Sequence, residues 1–131
     1  MMKILITDQV DERCCTILQS EGFVVDYKPG IKTDEIMKSI SEAAGLIVRS
    51  QTTVTSDILE AGKMLKVVGR AGAGVDNIDV EAATRRGVIV MNTPGGNTIS
   101  TAEHTISMMM ALARNIPQAH LSVIDGKWER K

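Results

Sequence analysis

The sequence predicts an α/β fold built on a doubly wound parallel sheet. Three observations carry that expectation. Five short apolar, β-branched runs are spaced along the chain, amphipathic helical stretches separate them, and the residues just past three of the runs are polar or glycine-rich. Strands joined by helical crossovers pair in parallel, and such sheets collect ligands beyond their strand C-termini.

The elements follow in order. Lys3 to Thr7 is the first strand, its apolar run Ile4 to Ile6 closed by Asp8. Asp11 to Ser20 reads as a helix carrying Cys14, Ile17 and Leu18 on one face. Phe23 to Tyr27 is the second strand, and Thr33 is expected to cap the helix holding Ile36, Met37 and Ile40. Gly45 to Val48 is the third strand, followed by a helix capped by Thr55 and carrying Ile58 and Leu59. Lys66 to Gly69 is the fourth. Asp79 caps the next helix, Glu81 suits the dipole of its first turn, and Gly87 stops it before the fifth strand, Val88 to Met91. The arrangement is flavodoxin-like. The helix from about Thr98 to Asn115 is apolar on nearly all sides, including Ile99, Ile106, Met108, Met109, Met110 and Leu112, so burial against a second domain or a second copy is expected. Pro117 restarts a helix beyond it. The expected division is a substrate-binding domain over 1–97 and an interdomain and dimerisation segment over 98–131.

Composition narrows the function classes. With 15 basic and 16 acidic residues interspersed among 131, no strong field favours nucleic acid or an anionic membrane surface. The N-terminal apolar run is too short for a signal-peptide core or a membrane span, and a cytoplasmic location is the default expectation. Cys14 and Cys15 lack the spaced partners that zinc requires and read as small hydrophobes in a reducing compartment.

The most informative stretch is Gly69-Arg70-Ala71-Gly72-Ala73-Gly74-Val75-Asp76-Asn77. Glycine permits positive φ and close approach to bare N–H groups, and arginine supplies a planar fork for carboxylate or phosphate. A small acid is the expected ligand. A plain glycine-rich turn with a solvated arginine is one competing reading, and a dinucleotide fingerprint is the other, but its third glycine falls at Asn77, and the strand Val88 to Met91 ends at Asn92 rather than at a ribose-binding acid. Arg49-Ser50-Gln51-Thr52 and Asn92 to Asn97 follow two other strands, so three loops are expected on one rim. Arg49 is either a second anion contact or a solvated strand-end residue. Asn97 is either a ligand-facing amide or a helix cap, with Ser100 and Glu103 offering a competing capping box. His104 reads as an ordinary helix histidine. Trp128 is either a partly exposed terminal anchor or an interface residue.

Taken together, Val-Val-Gly-Arg-Ala-Gly-Ala-Gly-Val-Asp-Asn-Ile-Asp, then Glu-Ala-Ala-Thr-Arg-Arg-Gly, then Val-Met-Asn-Thr-Pro-Gly-Gly-Asn, resemble the phosphoglycerate branch of the D-2-hydroxyacid dehydrogenase family. The likeness extends to Gly45-Leu-Ile-Val-Arg-Ser50 and to the final Lys-Trp-Glu-Arg. It implies that Arg49 and Arg70, with Ser50 and Thr52 nearby, bind the substrate phosphate. Ala73, Gly74 and Val75 would offer N–H groups to its carboxylate, and Asn97 would face the cleft between domains. Trp128 would enter a subunit interface of a homo-oligomer (dimer or tetramer), with Arg130 or Lys131 near the neighbouring active site. The implied complete enzyme passes a hydride from C2 of 3-phosphoglycerate to NAD, giving 3-phosphohydroxypyruvate at the start of serine biosynthesis. The family's NAD fingerprint, catalytic arginine, glutamate and histidine fall beyond Lys131, so the resemblance implies no catalytic, cofactor-binding or metal residue here and an inactive substrate half lacking its nucleotide-binding domain. Another D-2-hydroxyacid is the alternative substrate. A freestanding phospho-acid-binding or dimerisation module is the alternative role.

Overall fold

The computed structural model describes residues 1–128. Its strands are β1 (Lys3–Ile6), β2 (Val24–Tyr27), β3 (Ala43–Val48), β4 (Val67–Arg70) and β5 (Ile89–Met91), all parallel and ordered β2-β1-β3-β4-β5. The helices are α1 (Glu12–Ser20), α2 (Thr33–Ser39), α3 (Ser56–Ala61), α4 (Val80–Arg85), α5 (Thr98–Ala113) and α6 (Ile116–Ile124). The chain divides into two compact units, Met1–Gly96 and Asn97–Lys131.

In the first unit the path steps from β1 outward to β2, then returns past β1 to β3 and continues to β5. Right-handed crossovers therefore send α1 to one face and α2, α3 and α4 to the other. The three-helix face holds the core, where Leu5, Leu46, Val48 and Val68 meet Ile36, Ile40, Ile58 and Leu59, all within 3% of complete burial. Each such side chain contributes about 1.5 to 3 kcal/mol. With only α1 on the other face, Ile4, Phe23, Ile47, Val67 and Met91 line an open apolar groove of about 390 Å³.

Caps and stops mostly follow local chemistry. Asp11, Thr55 and Asp79 accept hydrogen bonds from N–H groups of the first turns of α1, α3 and α4. Gly87, at φ +69°, turns the chain from α4 into β5. Thr33 is not a cap. Lys32 holds the extended N-cap conformation without a side-chain bond, and Thr33 is already the first helical residue, one position past the cap. On α1, Cys14, Cys15 and Leu18 are half-buried while Ile17 is 61% exposed. Those three residues define a stripe, and Ile17 lies about 100° round the helix from its centre.

The second unit is a pair of helices joined where Asn115 adopts the left-handed conformation, φ 49°. That residue ends α5 at Ala113, short of the expected Asn115. Asn97 occupies the N-cap position, but its side chain makes no capping bond, and Ser100 Oγ instead donates to the Asn97 carbonyl at 3.1 Å. Among the described residues the all-round apolar pattern of α5 finds no cover, since no residue of α5 or α6 is buried. Among the described residues no helix is long and apolar enough to cross a membrane.

Candidate functional site

Beyond β3 the backbone of residues 49–52 leaves the sheet next to the end of β1. Thr7 carries the ladder one residue further, donating its N–H to the Ile47 carbonyl at 3.2 Å, and so brings Asp8 beneath the Arg49 loop. Asp8 is 1% exposed, and its Oδ2 accepts the N–H groups of Arg49, Gln51 and Thr52 at 2.6, 3.1 and 3.1 Å. Thr52 Oγ1 donates to Oδ1 of the same carboxylate. Thr7 Oγ1 lies 2.9 Å from the Thr52 hydroxyl, whose proton is committed to Asp8, so Thr7 is the donor there. Burial pushes the Asp8 carboxyl up, but the Thr52 hydroxyl and the N–H groups of Thr52, Arg49 and Gln51 outweigh it, and the net shift is downward. Thr52 is thus buried, with its hydroxyl and N–H both spent on Asp8. In this arrangement the Thr52 hydroxyl supports the rim. Arg49 and Ser50 are exposed, and Arg49 Nη1 donates to the Gln9 carbonyl at 3.3 Å.

Beyond β4 the glycine loop wraps its own cation. Arg70 Nη1 donates to the Gly74 carbonyl at 2.7 Å, Nε donates to the Arg49 carbonyl at 3.3 Å, and Nη2 stands 3.7 Å from the exposed Asp76 carboxylate. The Arg70 side chain is only 12% exposed. A Cβ on Gly72 would come within 2.9 Å of Arg70 Nη1, and one on Gly74 within 2.9 Å of Asp76 Oδ1. Neither glycine takes positive φ. Their role is space for the guanidinium, which corrects the conformational reading. The two arginines touch through the Arg49 backbone, but their guanidinium groups bond separate segments rather than one partner.

The same loop has three successive carbonyls held inward. Thr93 N–H bonds the Gly72 carbonyl at 2.9 Å, Asn92 Nδ2 bonds that of Ala73 at 2.6 Å, and Arg70 bonds that of Gly74. In a trans peptide the N–H points opposite the carbonyl. The N–H groups of Ala73, Gly74 and Val75 are therefore turned away from these partners, and among the described residues they have none. Successive free amides beside a cation form an anion-binding nest.

Asn77 ties the β3 and β4 loops together. Its Nδ2 donates to the carbonyls of Arg49 and Thr52 at 2.6 Å each, and among the described residues its buried Oδ1 has no partner. Residue spacing puts Asn77 in the rim loop without showing that it ties two loops together, and it marks Asp8 as the end of a strand. The available signal for Asp8 was an acid directly after a wholly apolar run.

The sequence model for the catalytic domain of the D-isomer specific 2-hydroxyacid dehydrogenases matches residues 4–127. The chain belongs to this family. Among curated relatives, this 2-hydroxyacid dehydrogenase chain is 49% identical over 99% of its length to D-3-phosphoglycerate dehydrogenase of Archaeoglobus fulgidus. It is 54% identical over its full length to that of Sus scrofa. It spans about a quarter of the length of these relatives. Among solved structures, the NAD+-bound 3-phosphoglycerate dehydrogenase of Entamoeba histolytica superposes at a TM-score of 0.75 with 37% identity, over 84% of this chain and 38% of that one.

NAD is thereby implied for the family, and the glycine loop of this dehydrogenase chain does not fit it. A pyrophosphate cradle needs bare space above its glycines and a third glycine close to a helix start. Here the Arg70 guanidinium fills the first requirement's space, and the Asn77 side chain is bonded into the Arg49 loop at the third position.

Proposed function

We propose that this chain is the substrate-binding portion of an NAD-dependent D-3-phosphoglycerate dehydrogenase, which oxidises 3-phosphoglycerate to 3-phosphohydroxypyruvate in serine biosynthesis. The observation that carries the reading is the row of outward amides of Ala73, Gly74 and Val75 set beside Arg70 and, through the Arg49 carbonyl, next to Arg49. A carboxylate accepts hydrogen bonds from that row. The phosphate, at the other end of the metabolite, pairs with the Arg49 guanidinium and Ser50 hydroxyl, and Arg70 Nη2 swings from exposed Asp76 to join it.

The segment from Asn97 onward joins the nucleotide-binding portion and pairs two copies of the enzyme, with Asn97 facing the interdomain cleft. The support is apolar exposure around both helices, with Ile99 75%, Leu112 78% and Ile124 66% exposed. Trp128, 74% exposed, belongs to that interface. Arg130 and Lys131, assigned to the neighbouring active site by resemblance, lie outside the described residues. We read the enzyme as cytoplasmic and NAD as held wholly outside this chain.

Titration calorimetry with 3-phosphoglycerate tests the reading. Arg49→Ala is expected to weaken binding by roughly 1.5 to 3 kcal/mol, as loss of a charge-assisted hydrogen bond does. Glycerol 3-phosphate, which lacks the carboxylate, is expected to bind more weakly than 3-phosphoglycerate and to lose affinity in the same variant. Unchanged affinity in Arg49→Ala, or equal affinity for both ligands, overturns the assignment.

A further inference from the structure

Asp8 sits where an open parallel sheet ordinarily holds its ligand. The strand order reverses between β1 and β3. At such a switch point the N–H groups past the strand ends face a crevice that attracts anions. Here those N–H groups, from Arg49, Gln51 and Thr52, all converge on Asp8 Oδ2. With Thr52 Oγ1 on the other oxygen and 1% of the residue exposed, the crevice is filled by a resident carboxylate. One strand further along the sheet, the amides of Ala73, Gly74 and Val75 stand open to a ligand.

Asn77 closes the opposite edge of the same loop. Its Nδ2 takes the carbonyls of Arg49 and Thr52, and inverting the amide would set Oδ1 against two carbonyl oxygens, so its orientation is fixed. The backbone of residues 49–52 is consequently gripped by its N–H groups from the β1 side and by its carbonyls from the β4 side. Arg49 leaves a backbone with little freedom to follow a ligand. Ligand binding then need not pay for ordering that loop.

We propose that Asp8 is the positioning residue of the anion site: an internal carboxylate that fills the β1/β3 crevice, fixes the Arg49 loop jointly with Asn77, and diverts a phosphorylated hydroxyacid outward to the Arg49 side chain and the Ala73–Val75 amides. The inference rests on the function proposed above. Asp8→Ala removes the acceptor of three backbone N–H groups and of the Thr52 hydroxyl and opens the crevice. In Asp8→Asn the amide oxygen can take the three N–H groups while its NH2 donates to Thr52 Oγ1, whose proton turns to Thr7, so the geometry survives.

The test uses the complete protein with 3-phosphoglycerate as probe. Asp8→Ala is expected to raise KM about tenfold or more with a much smaller effect on kcat, and Asp8→Asn to keep most of the parent's affinity. Added formate, which can re-enter the vacated crevice, is expected to lower the KM of Asp8→Ala but not that of Arg49→Ala, whereas chloride at the same ionic strength has no such effect. Asn77→Asp, which faces a carboxylate onto two carbonyls, is expected to raise KM as well and stands in should Asp8→Ala not fold. An unchanged KM in folded Asp8→Ala, or in Asn77→Asp where that variant stands in, overturns the proposal. So does a loss in Asp8→Ala that formate leaves untouched. Amide hydrogen exchange separates this failure from failure of the function itself. If the parent has no affinity for 3-phosphoglycerate, the functional reading falls, and the clamp is decided by the N–H groups of Arg49, Gln51 and Thr52. Faster exchange there in Asp8→Ala, with Leu46 and Ile47 unaffected, upholds it, and unchanged exchange overturns it.

Discussion

Arg70 donates from Nη1 to the carbonyl of Gly74 at 2.7 Å, so the glycine loop closes over the cation that begins it. This bond orients the peptide between Gly74 and Val75 and turns the Val75 N–H outward. The last of the three open amides is therefore oriented by the Arg70 side chain.

Gly72→Ala tests that coupling. The new methyl would stand 2.9 Å from Arg70 Nη1, the far end of a flexible side chain that can move aside. The expected cost in stability is small, about 0.5 kcal/mol or less, in line with other changes away from the core. Binding of 3-phosphoglycerate is expected to fall severalfold or more because the Gly74 carbonyl loses its anchor. Thermal melts and calorimetry on the same preparation check both halves, and a variant that binds like the parent removes the argument that Arg70 shapes the loop.

Acid sensitivity follows from Asp8, whose native pKa lies below its ordinary value of 3.8. Above that value the group is ionised in both the folded and unfolded chain, and its stabilisation is fully present. As pH falls through 3.8 toward the lowered native value, the unfolded chain takes up the proton first and the stabilisation drains away. Urea midpoints of the parent should therefore exceed those of Asp8→Asn by a constant margin near neutrality, shrinking below about pH 4. A margin that widens on acidification contradicts the hydrogen-bond assignment at Oδ2.

Association through the second unit has its own prediction. Leu112, 78% exposed on α5, and Trp128 are the expected anchors of subunit pairing. Leu112→Lys and Trp128→Ala should each shift the protein toward monomer by about tenfold or more in dissociation constant, the usual size for an interface anchor. Sedimentation velocity over a dilution series measures this, and superimposable profiles for parent and variants dispose of the interface.

Much of the fold was legible along the chain because its determinants are local. Mostly apolar runs of three to six residues, each closed by a polar loop, mark strands, and Asp11, Thr55 and Asp79 cap helices through bonds reaching two or three residues ahead. Thr33 and Ile17 misled for the same reason. A cap depends on the backbone angles of one residue and a buried face on where the sheet lies, and neither is written in residue spacing.

Sequence alone determined the parallel α/β order, the three polar loops beyond β3, β4 and β5, and the pairing of glycines with an arginine, since each rests on neighbours within a few positions. Tertiary structure alone decided what those loops do. It set Asp8 under residues 41 to 44 positions away and Asn77 against carbonyls 25 and 28 positions back. Strand order fixes which loop ends lie side by side, and a hydrogen bond forms only between groups that the sheet has already made neighbours.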